Sequence, residues 1–390
     1  MLTSLALIFL SGMLLAYVFS KLRLPSLLGM LITGILLGPY ALNLIDPSLL
    51  SISAPLRQFA LVIILIRAGL SLNLNDLKHV GRPALLMCFI PACFEIVAMI
   101  LLAPKIMGIS VLDAAIMGSV VAAVSPAVIV PKMLTLMEEG YGKQHSIPQL
   151  IMAGASVDDV FVIVLFTSFT TLANGKHISL SNFLGIPIAI VFGIVTGILF
   201  GWLLTIFFKK NHVRDSLKVL ILLSLAFLLI AAETSLEALL PFSGLLATMS
   251  MGIAIFRFYP PLANRLSLKF SKLWLAAEIL LFVLVGASVD LTYALSAGVN
   301  TLLLLLLVLV FRMLGVLVCL LHSPLSYKER LFCMIAYIPK ATVQAAIGGI
   351  PLSMGLDCGN IVLTVAVLSI LITAPLGAFG IDFSYKKLID

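Results

Sequence analysis

The sequence predicts an all-α polytopic membrane protein of about thirteen transmembrane helices, organised as an inverted repeat of six spans that contains two broken helices. Three observations predict it. Of 390 residues, 62% are hydrophobic and only 11% are charged, with a mean hydropathy of +1.22, outside the usual composition of soluble domains. Apolar windows recur from end to end, each about 18 to 25 residues and so long enough to cross roughly 30 Å of hydrocarbon as a helix. Two of these windows are interrupted by proline and small residues at matching places. No stretch remains for a soluble catalytic domain, which argues against an enzyme.

The first window, residues 2–19, has no basic segment before it and is followed by Lys21 and Arg23, so it reads as a retained span rather than a signal peptide. The others lie near 25–42, 55–71, 83–103, 112–134, 147–173, 183–208, 215–233, 239–256, 270–288, 295–321, 328–354 and 360–380. Of the 24 Lys and Arg, 18 fall in the tail or in loops after odd-numbered spans, and only Arg57, Lys105 and Lys176 fall on the other side. That bias places the N-terminus outside and the C-terminus in the cytoplasm. The net charge of +7 is dispersed over short loops, which gives no patch for nucleic acid. The five cysteines, Cys88, Cys93, Cys319, Cys333 and Cys358, are odd in number and lack C-x-x-C spacing, so neither a disulfide framework nor a structural metal is expected.

The interrupted spans are the fifth, at Ser125-Pro126-Ala127-Val128-Ile129-Val130-Pro131, and the twelfth, from Ile338-Pro339-Lys340 to Gly348-Gly349-Ile350-Pro351. They lie seven spans apart, and an odd separation means that equivalent elements cross in opposite directions. Spans 1–6 and 8–13 therefore read as an inverted repeat joined by span 7. Proline and glycine also kink ordinary membrane helices, but paired breaks at matching positions point to a transport site.

Seven ionisable side chains fall inside spans: Glu95, Asp158, Asp159 and Glu278 against Arg67, Arg312 and Lys340. Each costs about 3 kcal/mol near a helix centre, so such groups face a cavity or a partner. Asp158 lies about 11 residues, roughly 16 Å, into its span, close to the midplane. Arg67 is near a span end, where a long side chain reaches the interface, and Glu278 is ambiguous in the same way. Neighbours on a helix point about 100° apart, so Asp158 and Asp159 cannot serve one partner alike. One carboxylate is expected to bind a cation or a proton, and the other to face a fixed charge or a broken-helix terminus. The same angle argues against an intramembrane aspartyl protease, whose shared-proton dyad needs facing carboxylates. Ser125 and Thr342 at the breaks and Ser156 before the pair add hydroxyl oxygens, which suit hard cations; helix packing accounts for each hydroxyl equally well.

The segments GASVDDV at 154–160, AVSPAVIVP at 123–131, IRAGL at 66–70 and IPKATVQAAIG at 338–348 together resemble the NHA branch, solute carrier 9 subfamily B, of the monovalent cation:proton antiporters. The resemblance runs over essentially the whole chain. It implies two broken helices crossing beside the paired aspartates, a homodimerisation scaffold at 1–82 and 215–290, an ion-binding core at 83–182 (break near 124–131) and 291–390 (break near 338–351), and a linker helix at 183–214. It implies Asp159 as the principal carrier of ion and proton, Asp158 as its partner, Na⁺ or Li⁺ as the bound metal ion, and charge compensation by Arg312, Glu95 and Lys340. Many bacterial relatives carry a lysine where this chain has Arg312, whereas the NHA branch carries arginine and a glutamate matching Glu95. Whether Arg312 pairs with Glu95 or with Asp158 stays open.

The expected activity is exchange of Na⁺ or Li⁺ for H⁺ by alternating access. The alternatives are K⁺/H⁺ exchange, or a channel or organic-anion symporter built on similar crossed helices. No cofactor is expected. The expected partners are membrane lipid, monovalent cations and a second copy of the chain, and the expected location is a cell membrane, the bacterial inner membrane in particular.

Overall fold

A computed structural model describes residues 1–71, 81–174, 180–236, 242–290 and 298–389, which are helical nearly throughout, with no strand among the described residues. In chain order the helices are α1 (Leu2–Lys21), α2 (Ser26–Leu37), α3 (Pro47–Ser51), α4 (Ser53–Ser71), α5 (Arg82–Met87), α6 (Ile90–Met107), α7 (Val111–Val121), α8 (Pro126–Glu139) and α9 (Ile147–Asn174). Then follow α10 (Leu180–Lys210), α11 (Asp215–Leu236), α12 (Gly244–Phe258), α13 (Pro260–Ala287), α14 (Gly298–Leu320), α15 (Tyr327–Ala336), α16 (Thr342–Ile347), α17 (Ile350–Ser353) and α18 (Gly359–Leu388). Ten helical stretches among the described residues are long and apolar enough to cross a membrane, two of them formed by α5 with α6 and by α7 with α8. Two shorter apolar helices, α2 and α12, fall on the second and ninth predicted windows. The twelfth is divided among α15, α16 and α17, so no single helix there reaches spanning length.

Local chemistry sets the ends of these elements. Ser110 caps α7 by accepting the Asp113 N–H at 3.0 Å, and Ser326 and Glu329 form a reciprocal capping box at the start of α15. Pro126 opens α8 at a position where its missing N–H has no intrahelical partner to lose.

The chain divides into two compact units. One comprises Met1–Ala54, Asn75–Phe169 and Ile279–Asp390; in it α1 packs on α2, α6 packs on α7 and α14, and α18 lies against α7, α8, α15, α16 and α17. The broken helices belong to this unit. The other comprises Pro55–Leu74 and Thr170–Glu278, and its tightest pairing is α10 on α12. Gly193, Gly197 and Gly201 repeat every fourth residue along α10, and a Cβ on Gly193 or Gly201 would stand 2.7 Å from the Ser243 carbonyl oxygen or 2.5 Å from that of Met251. Only glycine lets two helix backbones meet this closely in a medium where packing replaces the hydrophobic effect. Arg67 and Glu278, both in this second unit, act on each other electrostatically.

Candidate functional site

The two breaks meet. Between α7 and α8 the chain is non-helical around Ala123–Ser125, and between α15 and α16 around Ile338–Ala341. The Ser125 N–H donates to the Pro339 carbonyl at 2.8 Å, joining one break to the other. Behind them α18 supplies Thr373, whose hydroxyl accepts the Lys340 N–H at 3.0 Å.

A half-helix that ends inside the membrane presents carbonyl groups and the negative end of its dipole. Here those carbonyls are taken by cationic and amide donors. Val121 accepts from Lys340 Nζ at 2.7 Å and from Gln344 Nε2 at 3.0 Å, Ala122 accepts from Arg312 Nη1, and Ala123 accepts from Gln344 Nε2 at 2.8 Å. At the end of α15 the Tyr337 carbonyl accepts from Arg312 Nε at 3.0 Å, and the guanidinium stands over the Tyr337 ring, 5.6 Å from its centroid.

The carboxylates complete the cluster. Glu95 on α6 receives Arg312 Nη1 at 2.8 Å and Lys340 Nζ at 2.7 Å. Asp158 on α9 receives Arg312 Nη2 at 2.9 Å and the Val124 N–H at 2.8 Å, both on Oδ2. Arg312 therefore answers both candidate partners at once, because its planar fork presents donors in two directions. Glu95, Asp158, Arg312, Lys340 and Gln344 each expose at most 1% of their surface, so the low dielectric strengthens every pairing and makes an unpaired charge costly.

Asp159, one residue on, joins none of these pairs. It is half-buried, and its Oδ1 is buried with no hydrogen-bond partner among the described residues. The same holds for Asp158 Oδ1, Ser125 Oγ, Thr342 Oγ1, Gln344 Oε1 and the Tyr337 hydroxyl. Buried oxygens without partners are rare in folded proteins. They lie on the two breaks, on the short helix that follows the second and on α9, and oxygens of this kind are chemically suited to a proton or a hard cation. Ser156 lies on α9 beside the aspartates, and its side chain falls outside the described residues.

Sequence reasoning missed Gln344 and Tyr337. Gln344 carried a usable signal, an uncharged polar residue in an apolar run beside a break. Tyr337 acts through its main-chain carbonyl, which no side-chain pattern reveals. Gly154, one turn before Asp158, is explained by Tyr337, since a Cβ there would overlap the phenol oxygen.

Comparison with known proteins decides the family. The family model "Sodium/hydrogen exchanger, transmembrane" matches residues 5–385. The chain belongs to the sodium/hydrogen exchanger family. Sodium/hydrogen exchanger 9B2 of Xenopus tropicalis is 34% identical over 87% of this chain and 64% of its own length, so the chain spans just under two thirds of that relative. The 9B2 exchanger of Mus musculus is 34% identical over 94% of this chain and 69% of its own, and the human 9B1 exchanger 32% identical over 94% and 73%. The fold is that of the sodium proton antiporter MjNhaP1 from Methanocaldococcus jannaschii, at a TM-score of 0.86 over 99% of this chain and 98% of that one, with 20% identity. As a member of this exchanger family with apolar helices of spanning length, the chain is an integral membrane protein.

Proposed function

We propose that this chain exchanges Na⁺ or Li⁺ for H⁺ across a membrane by alternating access, with Asp159 as the carboxylate that binds cation or proton in turn. The observation that carries the reading is the charge balance of the buried cluster. Glu95, Asp158 and Asp159 oppose Arg312 and Lys340, so three carboxylates minus two cations leave one negative charge when all are ionised. One Na⁺ or one H⁺ neutralises it. Asp158 is occupied by Arg312 and the Val124 N–H, which leaves Asp159 to take the exchanged ion. Ser125 and Thr342 carry neutral oxygens at the two breaks, and competition for one carboxylate couples the two flows.

The cluster draws its side chains from residues 83–182 (Glu95, Ser125, Asp158, Asp159) and from 291–390 (Arg312, Lys340, Thr342), which supports taking these segments as the moving core. A scaffold at 1–82 and 215–290 through which two copies pair, and a link at 183–214, rest on the family resemblance, and the compact units divide the chain differently, grouping Met1–Ala54 with the broken helices. The test is a proteoliposome assay with an internal pH dye and pulses of Na⁺, Li⁺ and K⁺. Proton movement driven by Na⁺ or Li⁺ is expected. Passive ion flux without proton movement would instead identify a channel and overturn the reading.

The basic-residue bias further supports an outside N-terminus and a cytoplasmic C-terminus in a cell membrane; the curated exchangers that the chain matches are animal proteins and give the bacterial inner membrane no support. A thiol introduced as Asn211→Cys, at an exposed position in a background free of native cysteines, is expected to react with an impermeant reagent only from the cytoplasmic side. Labelling from outside would reverse the orientation.

A further inference from the structure

The Ala123–Val124 peptide unit is held at both ends. Its carbonyl accepts the Gln344 amide at 2.8 Å, and its N–H donates to Asp158 Oδ2 at 2.8 Å. The same Gln344 nitrogen reaches the Val121 carbonyl at 3.0 Å, so one amide spans the last turn of α7 and the first residue of the break. Nothing else among the described hydrogen bonds is recorded on the Ala123 carbonyl, whereas that of Val121 also receives Lys340 Nζ. Gln344 is wholly buried, and its place on α16, opened by Thr342 just after the second break, fixes one broken helix against the other.

We propose that Gln344 is a positioning residue of the transport site, whose amide clamps the Ala123–Val124 peptide and thereby aims the Val124 N–H at Asp158. The inference rests on the transport reading for its consequence, since Asp158 is the fixed partner of Asp159 there. A donor on the carbonyl and an acceptor on the N–H polarise the peptide in the same sense, so the bond to the carbonyl strengthens the bond to the carboxylate. Without the clamp, the peptide plane is free to rotate about its flanking dihedrals, and the Ala123 carbonyl is left buried without a partner.

A spectroscopic readout separates positioning from simple structural support. The Asp158 carboxylate is followed by infrared spectroscopy of the full chain reconstituted in lipid at one fixed pH, its stretching band assigned by its loss in Asp158→Asn. The charged and titratable groups near Asp158 are Arg312 from α14, Asp159 on its own helix, Lys340 and Tyr337 beside the second break, Glu95 from α6, and Cys88, Cys93 and Cys319; all are retained in Gln344→Met, a residue of similar length that cannot donate. Losing an aligned donor changes the hydrogen bonding of Asp158 Oδ2, so the carboxylate band is expected at a shifted frequency in Gln344→Met relative to wild type. Gln344→Asn, one methylene shorter and gentler on packing, is expected to move it in the same direction and serves if the methionine variant does not fold. An unmoved band in the folded variant overturns the assignment, whatever happens to transport. Wild-type exchange is read separately in the dye assay, so a failure of the transport reading is recognised by itself and leaves the spectroscopic comparison standing.

Discussion

Asp159→Asn is expected to reduce Na⁺- or Li⁺-driven proton movement to the level of empty liposomes, while the purified protein stays monodisperse and thermally as robust as wild type. Asparagine keeps the size of the side chain and removes the titratable group. Because Asp159 Oδ1 has no partner among the described residues, its substitution breaks no recorded bond there, and the fold has little to lose. Asp158→Asn differs in kind, since it strips a charge from the Arg312 fork; exchange should be impaired, though less completely, and stability should fall as well.

Competition also fixes the sign of the pH dependence. A proton on Asp159 excludes the cation, so the half-saturating Na⁺ concentration rises as pH falls, by up to about tenfold per unit where the protonated form dominates, and levels off where the carboxylate is ionised. Proton flux with wild-type Na⁺ dependence in Asp159→Asn would remove the residue from the carrier role.

The apolar windows were legible because spanning a bilayer imposes a length, and length is a property of contiguous sequence. The breaks were legible from Pro126, Pro339 and Pro351, since proline opens or interrupts helices through its own ring. Asp158 and Asp159 stood out because charge in hydrocarbon is expensive wherever the chain later folds. The partners were not legible to the same degree. Arg312 lies 217 residues from Glu95 and 154 from Asp158, and separation along the chain does not reveal how many carboxylates one guanidinium serves. Its geometry permits two, and the fold uses both. The carbonyls of Val121, Ala122, Ala123 and Tyr337 were out of reach, because every residue has one and only the helix ends decide which are left over.

That double engagement makes Arg312 the residue whose loss should cost most in stability. Nε, Nη1 and Nη2 together hold two carboxylates and the carbonyls of two half-helices. In Arg312→Gln, Glu95 keeps Lys340 but Asp158 keeps only the Val124 N–H, a buried carboxylate short of its counter-charge. Breaking a buried pair this way costs about 3–5 kcal/mol, and a fall of roughly 10 °C in the temperature at which the detergent-solubilised protein loses monodispersity is expected. Transport should fall with it, since the carboxylate beside Asp159 would then take a proton rather than stay charged. Arg312→Lys should be intermediate, because an ammonium is a point charge that cannot span both carboxylates, and it adds a group able to release a proton where arginine cannot. Two double-mutant cycles apportion the effect. Both Glu95→Gln and Asp158→Asn should be less damaging in the Arg312→Gln background than in wild type, with coupling of about 0.5–3 kcal/mol in each cycle. Coupling at Glu95 alone would mean that the guanidinium leaves Asp158 free to titrate. Additive losses in both cycles, or an Arg312→Gln protein as stable as wild type, would show that the fork does not hold the two half-helices and the two carboxylates together.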